Sequence, residues 1–155
     1  MPKIDIAAIT ERRGTSYPSR FHAVVAGRAR RALGDAGGLT QFGVNLTRLE
    51  PGAATALRHW HENEDEFVFV LEGQAVLIDD DGETQMGPGD AAAFKAGDPN
   101  GHHLVNRGDR DVLLLEIGTR SAEERAFYPD DDMQVETRGG EDRFTRPNGE
   151  PFADD

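Results

Sequence analysis

From Leu39 onward the chain is a series of short apolar stretches, each closed by residues that favour turns. In the first of them, LTQFGVNLTRLEPG, Phe42, Val44 and Leu46 occupy alternate positions before the turn at Pro51. Alternation with a period of two is typical of a strand that buries one face. Similar stretches follow up to about residue 118, separated by Gly, Asp, Asn or Pro. Short strands at this spacing predict an all-β sandwich or barrel.

Two of the stretches are apolar on both faces. The run FVFVL occupies positions 67–71, and VLLL occupies positions 112–115. A sheet with one face in water carries polar residues at alternate positions, so the outer face of these strands is predicted to be covered. The cover is either the N-terminal part of the same chain or a second subunit, and we expect a homodimer.

The segments on either side of the predicted barrel do not follow this pattern of short apolar stretches. The string RFHAVVA, Arg20–Ala26, is predicted to be an edge strand. The next segment, Gly27–Gly38, is first basic and then glycine-rich, which indicates a surface loop with a possible helical turn at Arg30–Leu33. Toward the other end, Ser121 followed by Glu124 has the form of a capping box and predicts one or two helical turns in SAEERAF.

Beyond residue 128 the sequence is polar and has little periodicity. It is predicted to be a tail, pinned by the isolated aromatics Phe144 and Phe152 to the barrel or to a partner subunit. The chain is therefore divided into an N-terminal extension (1–38), a barrel (39–118) and a C-terminal polar tail (119–155). The three parts form one structural domain, because 155 residues leave little room for two cores.

Composition and charge exclude several classes of function. The chain has 17 basic and 29 acidic residues and a net charge of −12, which repels a phosphate backbone and argues against nucleic-acid binding. There is no cysteine, so a bound metal would take nitrogen and oxygen ligands. No run approaches the ~18 apolar residues that span a bilayer, and the opening MPKIDIAAITERRG lacks the apolar stretch of a signal peptide. We expect no membrane partner and a cytoplasmic location.

Four of the five histidines fall in two short patches that could hold a metal. His-x-His on a strand puts the imidazoles of His59 and His61 on one face, and Glu66, at the start of the next strand, can face the same interior. One histidine of the pair His102–His103 would complete a set of three nitrogens and one oxygen. That set suits divalent Fe, Mn, Zn or Ni. Strand periodicity does not decide between the paired histidines, and spacing alone leaves a structural role open.

These patches lie in two runs that resemble the sequence motifs of the cupin superfamily. In PGAATALRHWHENEDEFVFVLEGQ, a Pro-Gly turn precedes His-x-His, four residues, Glu, six residues and Gly; GPGDAAAFKAGDPNGHHLVN is similar to the second motif. The resemblance covers roughly half the chain and implies a double-stranded β-helix, or jelly-roll barrel. It implies a divalent metal held by His59, His61, Glu66 and His102, with His103 facing outward.

The sequence departs from these motifs beside the expected ligands. Six residues separate Gly52 from His59, one more than is usual, and Lys95 stands where a proline is expected. The loop Gly97–Gly101 is also longer than usual. These changes are expected to alter the mouth of the site more than the metal.

Several further residues carry weaker predictions. Arg58 and Trp60 point away from the ligand face of their strand. Arg58 is predicted to form an ion pair, and Trp60 is predicted to pack within the sheets or at an interface. Asn106 is predicted to close a turn. Glu116 and Tyr128 are candidate acids or bases near the metal, although a surface position for Glu116 is equally open.

A barrel of this kind supports many reactions, so function must come from the site. We predict a metal-dependent enzyme acting on a small oxygenated or carboxylated metabolite, as a dioxygenase, isomerase or lyase, with the metal as Lewis acid or oxygen-activating centre. The alternative is a non-catalytic protein that binds or senses a small molecule. An acid or base within reach of the open metal positions would distinguish the two.

Overall fold

The computed structural model describes residues 2–153, and β-strands make up most of its regular structure. In chain order the strands are β1 Arg28–Ala32, β2 Phe42–Leu49, β3 Trp60–His61, β4 Glu66–Glu72, β5 Ala75–Asp79, β6 Gly82–Met86, β7 Ala91–Phe94, β8 His103–Val105, β9 Val112–Thr119, β10 Glu123–Tyr128, β11 Met133–Arg138 and β12 Glu141–Thr145. The helical elements are two 3₁₀ helices, Ile6–Ala8 and Ser19–Val25, and the single turn α1, Leu33–Ala36. The predicted all-β fold is confirmed.

The strands form three antiparallel sheets. Their orders are β1-β2-β9-β4-β7, β6-β5-β8 and β12-β11-β10-β3. Strands far apart in sequence lie side by side, as in a jelly roll: β2 pairs with β9 along its whole length, from Phe42 opposite Thr119 to Leu49 opposite Val112. None of the helices in the described part of the chain is long and apolar enough to cross a membrane.

One core lies between the five-stranded and the three-stranded sheet. On β4 the buried residues of this core are Val68 and Val70, and on the neighbouring strand β9 they are Val112 and Leu114. Alternation puts Glu66 on the same inward face as Val68 and Val70. A register slip of one residue would bury the outer face instead, so core packing directs the Glu66 carboxylate into the barrel.

Gly73 ends β4 in a position that only glycine tolerates. Its φ is +82°, and a Cβ atom there would lie 2.6 Å from the carbonyl oxygen of Asp111. The turn follows an irregularity in register between Val70 and Glu72, after which Glu72 still pairs with Leu113 of β9. Gly73 is the glycine that ends the first motif, and it is required there by the left-handed backbone conformation and by the close approach of a neighbouring strand.

The predicted edge strand at Arg20–Ala26 is wrong, because Ser19–Val25 is a 3₁₀ helix. The apolar residues Phe21, Val24 and Val25 have helical spacing, and Val25 is fully buried. Phe21 and Val24 pack against the second core, which is formed by the C-terminal strands.

The surface loop predicted for Gly27–Gly38 is wrong at its start, where Arg28–Ala32 forms β1 and pairs with β2. The helical turn also lies later than predicted, at Leu33–Ala36. Arg28 is 7% exposed and donates to the carbonyl oxygen of Thr55 at 2.7 Å, and burial lowers its pKa to about 10. Arg28 and Arg30 therefore both direct their side chains toward the interior, in a segment that the sequence alone predicts to be a solvated loop.

The helical turns predicted from Ser121 and Glu124 are also wrong, because Glu123–Tyr128 is strand β10. Burial alternates along it, with Glu124, Ala126 and Tyr128 buried. Ser121 caps no helix; its backbone N–H donates to the Glu64 carboxylate at 2.8 Å.

The region interpreted as a polar tail carries three paired strands and a core of its own. Beyond β10, β11 and β12 continue the sheet, and the core includes Leu57, Met133 and Phe152. Phe144 packs against this core, and Phe152 is 8% exposed. The two aromatics therefore hold the C-terminal segment in place, as the sequence predicts.

The outer face of the five-stranded sheet keeps large apolar side chains in contact with solvent. Phe42, Phe67 and Leu71 are 41%, 39% and 37% exposed. The N-terminal segment, one of the two covers predicted from the sequence, leaves these side chains exposed. A second subunit stays a prediction.

Candidate metal centre

The three histidines predicted as ligands, His59, His61 and His102, lie on two short segments that pair with each other, and Glu66 begins β4. His59 and His102 form an isolated antiparallel bridge, in which each backbone N–H donates to the other's carbonyl oxygen, at 3.2 and 2.9 Å. The alternation that turns His59 and His61 inward turns Trp60 outward, where it stacks on Phe127 with ring centroids 4.4 Å apart.

Three imidazoles converge on one carboxylate oxygen. The Nε2 atoms of His102, His61 and His59 lie 2.9, 3.1 and 3.3 Å from Oε1 of Glu66. Ligand atoms of His59, His61 and Glu66 all lie within 4.8 Å of one another, and His102 joins them through its contact with Glu66. The structure thus brings together the four residues predicted as ligands.

The tautomers of two imidazoles fit a metal. Nδ1 of His59 lies 2.7 Å from the carbonyl oxygen of Leu57, and Nδ1 of His102 lies 3.0 Å from that of Asn100. Because a carbonyl oxygen only accepts, each Nδ1 carries a proton, which leaves the Nε2 atoms, directed at Glu66, to bind a metal through their lone pairs. Lone pairs and a carboxylate facing one point repel one another unless a cation or extra protons lie between them. This donor set therefore fits a divalent transition metal.

Without a metal, the contact between Glu66 and His61 shifts the pKa values of both groups. Burial raises the pKa of Glu66, but hydrogen bonds with three imidazoles outweigh it and hold the pKa well below its ordinary value. Burial lowers the pKa of His61, yet the contact with Glu66 outweighs burial and the pKa is raised. The negative charge of Glu66 and the positive charge of His61 thus stabilise each other when no cation is bound.

The paired histidines have different surroundings. The His102 ring is sandwiched against Phe94, with centroids 3.5 Å apart and planes 1° from parallel. His103 contacts the carbonyl oxygen of Ala56 through Nδ1 at 2.7 Å, and burial lowers its pKa. His102 therefore faces Glu66, and His103 faces a loop.

A cavity of about 370 Å³ opens onto the candidate metal centre, with His61, Glu66 and Glu116 in its wall. Glu116 points inward: its Oε1 accepts from the Thr47 hydroxyl at 2.5 Å and from Nε of Arg30 at 3.2 Å. Of the two roles left open for Glu116, the interior one fits its position. Arg30 is a site residue that the sequence missed, although the alternation in Arg-Ala-Arg is a signal for it.

A second cavity, of about 210 Å³, lies on the other side of His61 and is shared with the C-terminal sheet. Nδ1 of His61 is buried and has no hydrogen-bond partner among the described residues, and Oε1 of Glu64 lies 3.8 Å away. Tyr128 lines this cavity, and burial raises its pKa well above the ordinary value, so its hydroxyl stays protonated. Of the roles predicted for Tyr128, that of a base is disfavoured.

The remaining predictions concern packing around the site. Arg58 forms ion pairs with Asp130 at 2.8 Å and Asp80 at 2.5 Å, as its outward direction predicts. Asn106 is fully buried and donates to the carbonyl oxygens of Leu49 and Arg110, which closes the turn before β9.

Comparison with known proteins identifies related chains. The model of the Cupin domain family matches residues 45–118. The crystal structure of a sugar phosphate isomerase from a cupin superfamily, from Silicibacter pomeroyi, is 54% identical and covers 98% of this chain and 97% of that chain, with a TM-score of 0.96. Comparison with curated proteins gave no match.

More distant structures share the architecture. A candidate sugar phosphate isomerase from Acidithiobacillus ferrooxidans is 28% identical, covers 83% of this chain and 81% of that chain, and has a TM-score of 0.75. A polyketide cyclase from Streptomyces resistomycificus is 21% identical over 77% of this chain and 79% of that chain, with a TM-score of 0.62. The last of these shows the fold alone.

Proposed function

The chain belongs to the cupin superfamily, and we propose that it is a metal-dependent isomerase of a sugar phosphate. The observation that carries the proposal is the convergence of three imidazoles on Glu66 in a chain 54% identical, over nearly its whole length, to a sugar phosphate isomerase. Isomerisation is one of the reactions that the sequence predicts for a metal on this scaffold, and it requires no oxidant.

The proposed metal ligands are His59, His61, Glu66 and His102. A divalent cation held by them would act as a Lewis acid on a carbonyl or hydroxyl oxygen of the sugar. Backbone carbonyls fix the rings of His59 and His102, so both keep their Nε2 atoms directed at the cation position.

Glu116 is the group that we propose carries the proton. Interconversion of an aldose and a ketose moves one proton from C2 to C1 and another from the C2 hydroxyl to the C1 oxygen. The Glu116 carboxylate would take the carbon-bound proton and return it to the neighbouring carbon, so that no atom is gained or lost. The Thr47 hydroxyl and Arg30 hold this carboxylate in one orientation within the cavity wall.

The cavity suits a small, polar substrate. Its volume of about 370 Å³ is near the lower end of the size of ligand pockets, about 300–1,000 Å³. Its wall includes the side chains of Asn45, Glu64 and Thr119, which can hydrogen-bond sugar hydroxyls.

The proposal is tested by NMR in deuterated water. Protein stripped with a chelator and reloaded with Mn, Fe, Zn or Ni is incubated with a panel of aldose and ketose phosphates. We expect at least one pair to interconvert with deuterium entering at C1 or C2, and no turnover by the stripped protein. Fully loaded protein that neither interconverts nor exchanges any of the panel would overturn the proposal.

Two variants assign the proton-transfer step. Glu116→Gln is expected to bind metal normally but to lose turnover by about 10²–10⁴-fold, the contribution of a positioned base. Glu83→Gln is a matched control, because Glu83 is exposed and paired only with Arg107 in the described structure. It is expected to match wild type. Equal activity of Glu116→Gln and wild type would exclude Glu116 as the proton carrier.

A further inference from the structure

Two arginines lie in the wall of the cavity that opens onto the metal centre. They are Arg30, from β1, and Arg120, directly after β9. The wall of this cavity also carries three carboxylates, those of Glu64, Glu66 and Glu116, so the partners of each charged group decide whether an anion can bind there. Guanidinium groups bind phosphate and carboxylate oxygens through paired hydrogen bonds.

The fold keeps a space for the Arg120 side chain. Its backbone N–H donates to the carbonyl oxygen of Gln41 at 3.1 Å, which fixes the start of the side chain at the edge of β2. The guanidinium lies over Gly43, where a Cβ atom would be 3.5 Å from both Nε and Nη2 of Arg120. An inward-facing residue with a longer side chain at Gly43 would occupy the place of the guanidinium.

The carboxylates of the same cavity already have partners inside the protein. Glu66 contacts the imidazoles, Glu116 contacts Arg30 and Thr47, and Glu64 accepts from a backbone N–H. They leave the charge of Arg120 to be balanced elsewhere.

Arg120 is paired with Asp35, whose side chain is 55% exposed, while that of Arg120 is 43% exposed. An ion pair this open to water contributes little, so an incoming anion can replace Asp35. Arg30, by contrast, is held by Glu116 and by the carbonyl oxygen of Thr55. Arg120 also donates to the carbonyl oxygen of Leu39 at 3.4 Å, but its charged partner is exposed. The cavity wall thus offers one guanidinium with a replaceable charged partner and one whose partners lie inside the protein.

We propose that Arg120 binds the phosphate group of the substrate, with Arg30 as a fixed positive charge in the same cavity wall. This inference rests on the proposed function for the nature of the substrate. The phosphate would exchange with Asp35 on Arg120, while the sugar carbons extend toward Glu116 and the metal ligands. Arg120 is then a specificity residue that selects phosphorylated over unphosphorylated sugars.

The test compares Arg120→Gln with Arg107→Gln. Arg107 is a matched control, because it is exposed and paired with an exposed carboxylate, as Arg120 is, but does not line the cavity. Inorganic phosphate is titrated into the metal-free proteins at constant ionic strength, and the melting temperature is followed. We expect phosphate to raise the melting temperature of wild type and of Arg107→Gln, and to have no effect on that of Arg120→Gln.

Kinetics give a second measurement on the metal-loaded enzyme. Arg120→Gln is expected to raise KM for the sugar phosphate by about 10–100-fold, the loss of a bidentate charged contact, with kcat much less changed. The unphosphorylated sugar is the comparison substrate, and its turnover should be the same in wild type and variant.

The outcomes separate this inference from the proposed function. Phosphate stabilisation that requires Arg120, in a protein without isomerase activity, supports the anion site and overturns only the proposed function. Phosphate stabilisation that is the same in Arg120→Gln and wild type overturns the inference, as does a stabilisation lost equally in Arg107→Gln. An isomerase whose KM is unchanged in Arg120→Gln overturns it too.

Discussion

The C-terminal sheet contacts the candidate metal centre through one buried carboxylate. Glu124 on β10 is 7% exposed. Its Oε1 accepts from the backbone N–H of Glu62 at 3.0 Å, and both of its oxygens lie 3.1 Å from that of Asn63. These two N–H groups directly follow His61, whose strand pairs with β10. Glu124 should therefore determine how firmly the His61 imidazole is held.

Glu124→Gln keeps the size of the side chain and changes its hydrogen bonding. The backbone N–H of Arg125 also donates to Glu124, at 2.7 Å, so three N–H groups share this acceptor. A hydrogen bond to a charged acceptor contributes about 1.5–3 kcal/mol and a neutral one about 0.5–1.5 kcal/mol, so each of the three loses about 1 kcal/mol. We expect the free energy of unfolding to fall by about 3 kcal/mol, which lowers the melting temperature of a protein of this size by about 6–12 °C. Because the loss is next to a ligand, metal affinity should fall by about tenfold or more.

Urea denaturation measures the free energy of unfolding, and competition with a metallochromic chelator measures the metal affinity. The control is Glu83→Gln, at an exposed ion pair away from the site, which should match wild type in both. The reasoning is refuted if Glu124→Gln binds metal as tightly as wild type. A loss of stability without a loss of affinity would mean that the sheet stabilises the fold but does not hold His61.

Three further predictions follow from the structure. Asn106→Ala removes two hydrogen bonds to backbone carbonyls and one from a backbone N–H in the interior, and should lower the free energy of unfolding by about 3 kcal/mol in urea titrations; a loss below about 1 kcal/mol contradicts this. Wild type is expected to be a dimer in light scattering and Phe67→Glu a monomer, whereas a monomeric wild type would refute the predicted homodimer. In the metal-free protein the lowered pKa of Glu66 means that its ionised form stabilises the fold above pH 4.5, and this stabilisation is lost as pH falls. The raised pKa of His61 means that its protonated form stabilises the fold below pH 6.5, and this stabilisation is lost as pH rises through the folded-state pKa. The melting temperature of the metal-free protein should therefore be highest between these pH values and fall above them, and a melting temperature that rises steadily with pH would contradict this.

The barrel and the predicted ligand cluster could be read from sequence because they depend on local patterns. Period-two alternation determines which side chains of β4 face inward, and the same alternation directs His59 and His61 to one side. Local pattern does not decide between His102 and His103, because both of these adjacent histidines are partly or fully buried. The choice of His102 came from resemblance, and the structure adds the reason: the bridge to His59 turns the His102 ring toward Glu66.

The terminal regions could not be predicted because their patterns are misleading out of context. Glu123–Tyr128 contains charged residues with helix propensity, and only the pairing with β3 and β11 makes it a strand. Arg28–Ala32 resembles a solvated basic loop, yet its backbone pairs with β2 and its arginines find internal acceptors. Long-range pairing, which no local window contains, decided both segments.

Three imidazoles and one carboxylate are proposed to hold a single divalent cation, and calorimetric titration of metal into chelator-stripped protein tests this assignment. We expect one site per chain in wild type, loss of that site in His59→Ala, His61→Ala, Glu66→Ala and His102→Ala, and retention in His103→Ala. A wild-type protein that takes up no metal, or an affinity that depends on His103 and not on His102, would contradict it.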